Sequence, residues 1–376
     1  MKKEISKTDF VLVILFIGII LSGTCFFGTT MFSSYIQDEN REVVADEADP
    51  GFLGPFFDAV YDNKDVKKLI SNISYSFFRE ISDENVIAGS NGFVFEIKYE
   101  GDGYDYLRDY MGEISFSNDE LITIAENIER RRDALEKAGK RYIIVVVPTS
   151  MRVYDDCLPL HYGKPSKNSR LSQLSAVMVY SDSYIDLTDA LTLAKTKGYV
   201  YNNTEDSINA LGAYTIYRAV EEKVNDGAVL CGEKELKFYT HLTPGKSVVR
   251  RAGASDIVKN RTVSYTDDYR LTFNIESSGG GTQVYTRTKP GYAVGGNGKS
   301  FIVAVDSEID IYRLMPFFSN AYRNVSYVHS VDDSIFGCSG DTVVEFVSER
   351  NLSSLLDMAD IDYDNYRDVT GEYEEN

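Results

Sequence analysis

The sequence has no tryptophan and only 3 histidines, 4 cysteines and 8 prolines in 376 residues. Each shortage removes a class of function. His161, His241 and His329 stand too far apart for an HExxH helix or any multi-histidine cluster, so no metal site is expected. Cys25, Cys157, Cys231 and Cys338 form no CxxC pair and are too few for a disulfide scaffold, which removes a zinc ribbon. Basic residues are scarce too: 39 Lys+Arg stand against 58 Asp+Glu, a net charge of −19. A phosphate backbone asks for clustered Lys and Arg, so no nucleic-acid partner is expected. No cofactor is implied either. The run Gly279-Gly280-Gly281 lacks the following Lys-Ser/Thr and helix of a phosphate cradle.

Long uncharged stretches are missing from most of the chain, and the exception is residues 10–32, FVLVILFIGIILSGTCFFGTTMF. As a helix this run spans about 30 Å of hydrocarbon. Lys2, Lys3 and Lys7 precede it, and Asp38, Glu39, Glu42, Asp46, Glu47 and Asp49 come after it. By the positive-inside rule the N-terminus, residues 1–9, is cytoplasmic and the rest of the chain extracytoplasmic. The rivals are a cleaved signal peptide, which lacks an A-x-A site here, and a lipoprotein at Cys25, whose Ser22-Gly23-Thr24 is a poor lipobox. Residues 1–32 carry three Lys against one Glu and one Asp, so the exterior part of the chain carries −20. Such a surface stays soluble and repels acidic polymers.

Beyond the anchor, residues 33–65 read as an acidic stalk. Residues 66–356 hold the domain, and 357–376 form a tail. From Asp357 on, eight Asp/Glu stand against Arg367 alone, so the tail is expected to be disordered or loosely docked. Within the domain, residues 77–95 read as a helix end, a turn at Gly89-Ser90-Asn91-Gly92 and a short strand. Residues 118–138 have helical spacing at Leu121, Ile124, Ile128 and Leu135, with Ser117 or Asn118 as cap and Gly139 as stop. The run 142–147, YIIVVV, is a strand buried on both faces of a parallel sheet. Residues 184–187, 301–305, 325–329 and 342–347 read as further strands, and 209–224 and 309–322 as helices. This alternation predicts an α/β layered fold with a mostly parallel sheet. Residues 230–300, rich in Thr, Tyr, Arg and Gly, interrupt it as a β-rich insertion.

One turn stands where α/β proteins place their sites. Asp306-Ser307 follows the strand FIVAV and opens a helix, so Ser307 projects at the carboxyl edge near helix amides that stabilise an oxyanion. A plain N-cap gives the same pattern.

Several segments resemble those of a known family. Residues 148–159, PTSMRVYDDCLP, resemble the "PTS…Y.D.LP" segment of the DHHW proteins, which are similar to the AlgX/AlgJ-like SGNH-hydrolase domains of alginate O-acetylation. Asn40-Arg41 and residues 86–95, VIAGSNGFVF, resemble the family's "NRELA" and "G.DGYLF". Residues 289–297, KPGYAVGGN, resemble its "Y..GGN" loop. Asp306-Ser307 with Pro316-Phe317-Phe318 resembles "DSYA…PFL". The resemblance implies an SGNH-hydrolase-like, flavodoxin-like sheet flanked by helices. It implies Ser307 as nucleophile, an Asp-x-His pair in a "TDxHW…GAY" element as base, and cell-envelope polysaccharide with acetylation proteins as partners.

Here that element reads Thr204-Glu205-Asp206-Ser207-Ile208, then Gly212-Ala213-Tyr214. The flanks match, but Glu205 replaces the Asp and Ser207 the His. A serine attacks an acyl carbon only when an adjacent base takes its proton, and a carboxylate such as Glu205 or Asp206 is a poor one at neutral pH. The expectation is a degenerate, glycan-binding member. The alternatives are an active O-acetyltransferase or esterase using Ser307 with an unusual base, and a non-enzymatic envelope interaction module. His329, ending the strand after the Ser307 helix, is the one histidine placed to replace the base; a strand-end histidine on the surface is the simpler reading. Asn297 is a candidate oxyanion donor or a Gly-Asn turn residue. His161 and His241 read as surface residues.

Overall fold

The structure, a computed structural model, describes residues 85–98, 104–225, 238–245, 259–265, 273–277, 283–287, 300–305, 309–322 and 324–370. The expected anchor, the stalk, Asn297 and Ser307 lie outside the described residues. Among those described, no helix is long and apolar enough to cross a membrane.

In chain order the elements are β1 (Val86–Ala88), β2 (Val94–Glu96), α1 (Tyr106–Tyr110), α2 (Asn118–Lys137), β3 (Arg141–Val147), α3 (Ser150–Val153), α4 (Arg170–Val177), β4 (Tyr184–Asp186), α5 (Thr188–Ala194) and α6 (Ala210–Val224). Then come β5 (Phe238–Pro244), β6 (Lys259–Tyr265), β7 (Phe273–Ser277), β8 (Gln283–Arg287), β9 (Ser300–Val305), α7 (Ile311–Ala321), β10 (Asn324–Val328), β11 (Thr342–Ser348) and α8 (Tyr363–Thr370).

The main sheet has strand order β4-β3-β11-β9-β10-β8-β7. The first five strands run parallel. β8 and β7 add an antiparallel hairpin beside β10. Layers of helix cover both faces, so the strands alternate between two cores. Ile143, Val145 and Val147 of β3 and Phe301 and Val303 of β9 meet α6 and α7 on one face. Tyr142, Ile144 and Val146 of β3 and Ile302 and Ala304 of β9 meet α2 and α4 on the other. Each fully buried Ile or Val contributes roughly 1.5–3 kcal/mol, which is why this run has no polar face. This is the SGNH-like α/β architecture that the resemblance implies.

Helix ends follow local chemistry. Ser117 caps α2 in a capping box with Glu120, and Gly139 at φ 70 ends it. Asn209 caps α6 by accepting from Leu211 N at 3.0 Å and Gly212 N at 3.2 Å. A Cβ at Gly212 would sit 2.2 Å from the Val200 carbonyl oxygen, so the helix reaches residues 200–201 only with glycine there.

One local reading is corrected and one is decided between its alternatives. Residues 86–88 are not a helix end: they pair as β1 with β2, Ile87 opposite Phe95, around the 89–92 turn. Of the two expectations for the acidic tail, disorder or loose docking, the described residues up to 370 are docked. α8 packs Tyr363 and Tyr366 against Phe336, with ring centroids at 5.2 and 5.5 Å, and Ile361 is buried. The tyrosines supply apolar area that the acid count conceals. Within 230–300 the described residues hold β5 and β6, a separate antiparallel pair, and β7 and β8.

The topology also fixes where a site belongs. From β3 the chain moves outward to β4; from β9 it moves the other way to β10; β11 then inserts between β3 and β9. The direction reverses there, and in such sheets the crevice opens beyond the carboxyl ends at the reversal.

Candidate functional site

A narrow cleft of about 60 Å³ opens at that point. Four segments line it: residues 147–149 after β3, 348–350 after β11, 206–208 before α6, and the start of α7 at Ile309, Asp310, Arg313 and Leu314. β3 and β11 are paired up to Val147 and Ser348, so the two segments leave the sheet side by side. The third is a hairpin-like loop closed by the Tyr201–Ile208 bridge and by Asn202 N donating to Ser207 O at 2.9 Å. Its base is fixed by the Tyr201 hydroxyl, which donates to the Pro148 carbonyl. Burial, then the nearby Asp206 and Glu349 carboxylates, push that phenol well above its ordinary pKa.

The element expected to carry the base reaches the cleft, but its carboxylate is already occupied. Asp206 Oδ1 accepts from Ser150 N at 2.6 Å, and Oδ2 accepts from Arg350 Nη2 at 2.6 Å. Arg350 also faces Glu96 at 3.4 Å and lies over the Tyr106 ring, 4.5 Å from its centroid. Glu205 Oε1 and Ser207 Oγ both accept from the Asn202 amide, at 2.8 and 2.6 Å. Asp206 and Ser207 line the cleft; Glu205 is turned to its own loop.

Beside Arg350, Glu349 clasps the other wall. Its Oε2 accepts from Thr149 N at 2.7 Å and Thr149 Oγ1 at 3.0 Å, and Oε1 accepts from Arg152 Nε at 2.7 Å. Burial acts against the charge on Arg152, but the Glu349 carboxylate outweighs it and raises the guanidinium above its usual value. Two consecutive residues of opposite charge thus hold the turn after β3 and the 204–208 loop in register.

No imidazole lines the cleft among the described residues. His329 is exposed beyond the end of β10 and borders a different hollow, with Arg131 and Glu345. His161 is exposed, and His241 sits on β5 within 2.6 Å of Ser264 Oγ. Ser307 and Asn297 lie outside the described residues, so neither is placed against the cleft. Among the described residues no three His, Cys, Asp or Glu side chains are grouped to hold a metal ion. Among the described residues the cleft presents Arg313 and Ser207 beside the wall segments, and no imidazole to take a proton from a hydroxyl.

Sequence reasoning missed Arg152, Glu349 and Arg350. Arg152 sat inside the PTSMRVY segment without an assigned role. Glu349-Arg350 after a strand carries the pattern of an ordinary exposed loop, and only their burial distinguishes them.

Comparison with known proteins agrees with the motifs. No curated protein matches the chain. The O-acetyltransferase domain of Pseudomonas putida AlgJ is similar at 17% identity and TM-score 0.45, over 77% of this chain and 99% of that one. Bacillus cereus PatB1 with a sulfonyl adduct is similar at 12% identity and TM-score 0.48, over 65% and 93%. A DHHW family protein from Eubacterium siraeum is similar at 14% identity and TM-score 0.45, over 72% and 97%. Residues 107–249 match the family model of the SGNH hydrolase-like domain, acetyltransferase AlgX, so the stretch holding β3, the 204–208 loop and α6 carries the likeness that the motifs announced.

Proposed function

We propose that the protein is a membrane-anchored, extracytoplasmic member of the polysaccharide O-acetylation type that holds cell-envelope glycan without turning it over. The AlgX-type match over residues 107–249 supports the acetylation context. The uncharged 10–32 run, with lysines before and acids after, supports the anchor. The observation that carries the loss of catalysis is Asp206: both its oxygens are bonded, to Ser150 N and Arg350, and the next residue is Ser207 where the family has its histidine. Without that base, a serine in the cleft has lost typically several orders of magnitude in rate.

The test uses the full-length protein in detergent with p-nitrophenyl acetate, acetylated oligosaccharides and isolated envelope polysaccharide. Polysaccharide pull-down without ester turnover, unchanged in Ser307→Ala, is the expected result. Turnover that disappears in Ser307→Ala replaces this reading by that of an active acyltransferase or esterase. Absence of polysaccharide binding, with co-purification of another envelope protein, replaces it by an interaction module.

A further inference from the structure

A second hollow at the same sheet edge is not used by the cleft. It begins with an anomaly in β11. Central parallel strands are apolar on both faces, yet Glu345 sits mid-strand in Thr342–Ser348, facing α2. The charge is matched locally: Arg131 Nη1 donates to both Glu345 oxygens at 2.8 Å, the Tyr142 hydroxyl donates to Oε2, and Arg131 Nη2 donates to Ala359 O at 2.9 Å. The pair ties α2 and the 359 segment to the strand. Between this tie and the ends of β9 and β10 lies a hollow of about 590 Å³, some ten times the volume of the cleft. Small-molecule sites fall in that size range.

Its chemistry is amphiphilic and nearly uncharged. Val331, Leu355 and Met358 supply apolar wall. His329, Ser330, Asn351, Ser354 and Asp357 supply hydroxyl, amide, imidazole and carboxylate groups. Arg131 and Glu345 cancel each other, and among the described residues the lining holds no Lys or Arg besides Arg131 to recognise an anion. The −20 exterior further repels a polyanion. A ligand matching this lining has hydroxyls around its edge and C–H faces for the wall.

We propose that this hollow binds an uncharged sugar unit, and that the glycan held by the protein is neutral rather than uronic. The inference rests on the glycan-holding reading above. It gives His329 a place at a sugar subsite.

The experiment is calorimetric titration of the full-length protein with chitotetraose, maltotetraose and tetragalacturonate. At least one neutral tetrasaccharide binds. The Asn351→Ala/Asp357→Ala variant weakens it at least about tenfold, as removal of two ligand hydrogen bonds requires. Ser354→Trp, which fills the hollow, has the same effect. Asn351 is half-buried and Asp357 exposed, so an unchanged unfolding midpoint verifies the fold. Neutral binding that survives both variants but is lost in Ser207→Ala puts the sugar in the cleft and overturns the inference. Preference for tetragalacturonate, or no tetrasaccharide bound while isolated polysaccharide is still pulled down, also overturns it and leaves the glycan-holding reading standing. Loss in the rim variants together with Ser307-dependent ester turnover keeps the inference and removes the degenerate reading.

Discussion

The two edges of the main sheet bury carboxyl groups to similar depth and treat them in opposite ways. At the carboxyl edge Glu349, 7% exposed, is paired with Arg152, 5% exposed, and bonded to Thr149. At the amino edge Glu221, in the last turns of α6, is fully buried with an amide and a phenol for company: Asn225 Nδ2 donates to Oε2 at 2.6 Å, and Tyr322 adds a hydrogen bond. Glu221 Oε1 has no partner among the described groups. Arg141, at the start of β3, is spent on the carbonyls of Lys223 and Val224. Burial alone therefore says little about a carboxyl. Whether a guanidinium accompanies it decides if it is a fixed anchor or a titrating weak point.

The largest effect is expected from breaking the anchored side. Arg152→Ala leaves Glu349 buried with Thr149 alone and costs about 3–5 kcal/mol in urea unfolding. Replacing both charges, as Arg152→Met/Glu349→Leu, costs clearly less than the single change, because no lone charge remains. A loss below about 1 kcal/mol for Arg152→Ala would mean the pair behaves like a surface contact, and the contrast between the edges would collapse.

The amino edge responds to pH instead. Burial pushes the Glu221 carboxyl up to about 7 against an ordinary 4.5, while hydrogen bonds from Tyr322 and Asn225 act the other way. The folded state thus holds the proton more tightly than the unfolded one. The stabilisation is complete below pH 4.5, falls through the window from 4.5 to 7, and is absent above it, a change of about 3 kcal/mol from this group. Glu221→Gln flattens the stability profile across that window and is more stable than the parent at pH 8. An unchanged profile in Glu221→Gln would show that the group is not the titrating one.

The fold was legible in the sequence where a single physical rule dominates. The 142–147 run is buried on both faces, so nothing competes with strand, and Leu121, Ile124 and Ile128 mark a helix face that packs on it. The reading failed where length or composition misled. β1 is three residues, too short for periodicity, and is defined by its pairing across the turn with the short strand expected there, β2. Charge left the tail open between disorder and loose docking, and Tyr363, Tyr366 and Ile361 decide it by docking. For the site, the family resemblance singled out the 148–159 segment and the 204–208 element, and the structure brings the two together at one cleft. The resemblance did not reveal that Arg350 engages Asp206, because ion pairs between residues 144 positions apart leave no local pattern. Glu345 on β11 broke the apolar run visibly, yet its partner Arg131 lay on a helix face that reads as solvent-exposed charge.

The smallest expected effect separates geometric hold from charge at the carboxyl edge. Asn203, 1% exposed, is neutral and joins three segments: its Nδ2 donates to Gly92 O at 2.6 Å and Lys259 O at 3.0 Å, and its Oδ1 accepts from Arg261 N. Its own carbonyl accepts from Val94 N at 2.8 Å, a bond any residue preserves. Asn203→Ala therefore strips the side-chain ties between the β1–β2 turn, the 204–208 loop and β6 while leaving every charge in place. Unsatisfied backbone groups at these positions regain some water at the edge, so the loss is about 2 kcal/mol rather than a sum over three bonds. Because nothing ionisable changes, the stability difference between Asn203→Ala and the parent is flat from pH 5 to pH 8. A difference that varies with pH would mean that the neutral tie and the Asp206–Arg350 pair move together, and that the carboxyl edge is held as one coupled unit rather than by separable contacts.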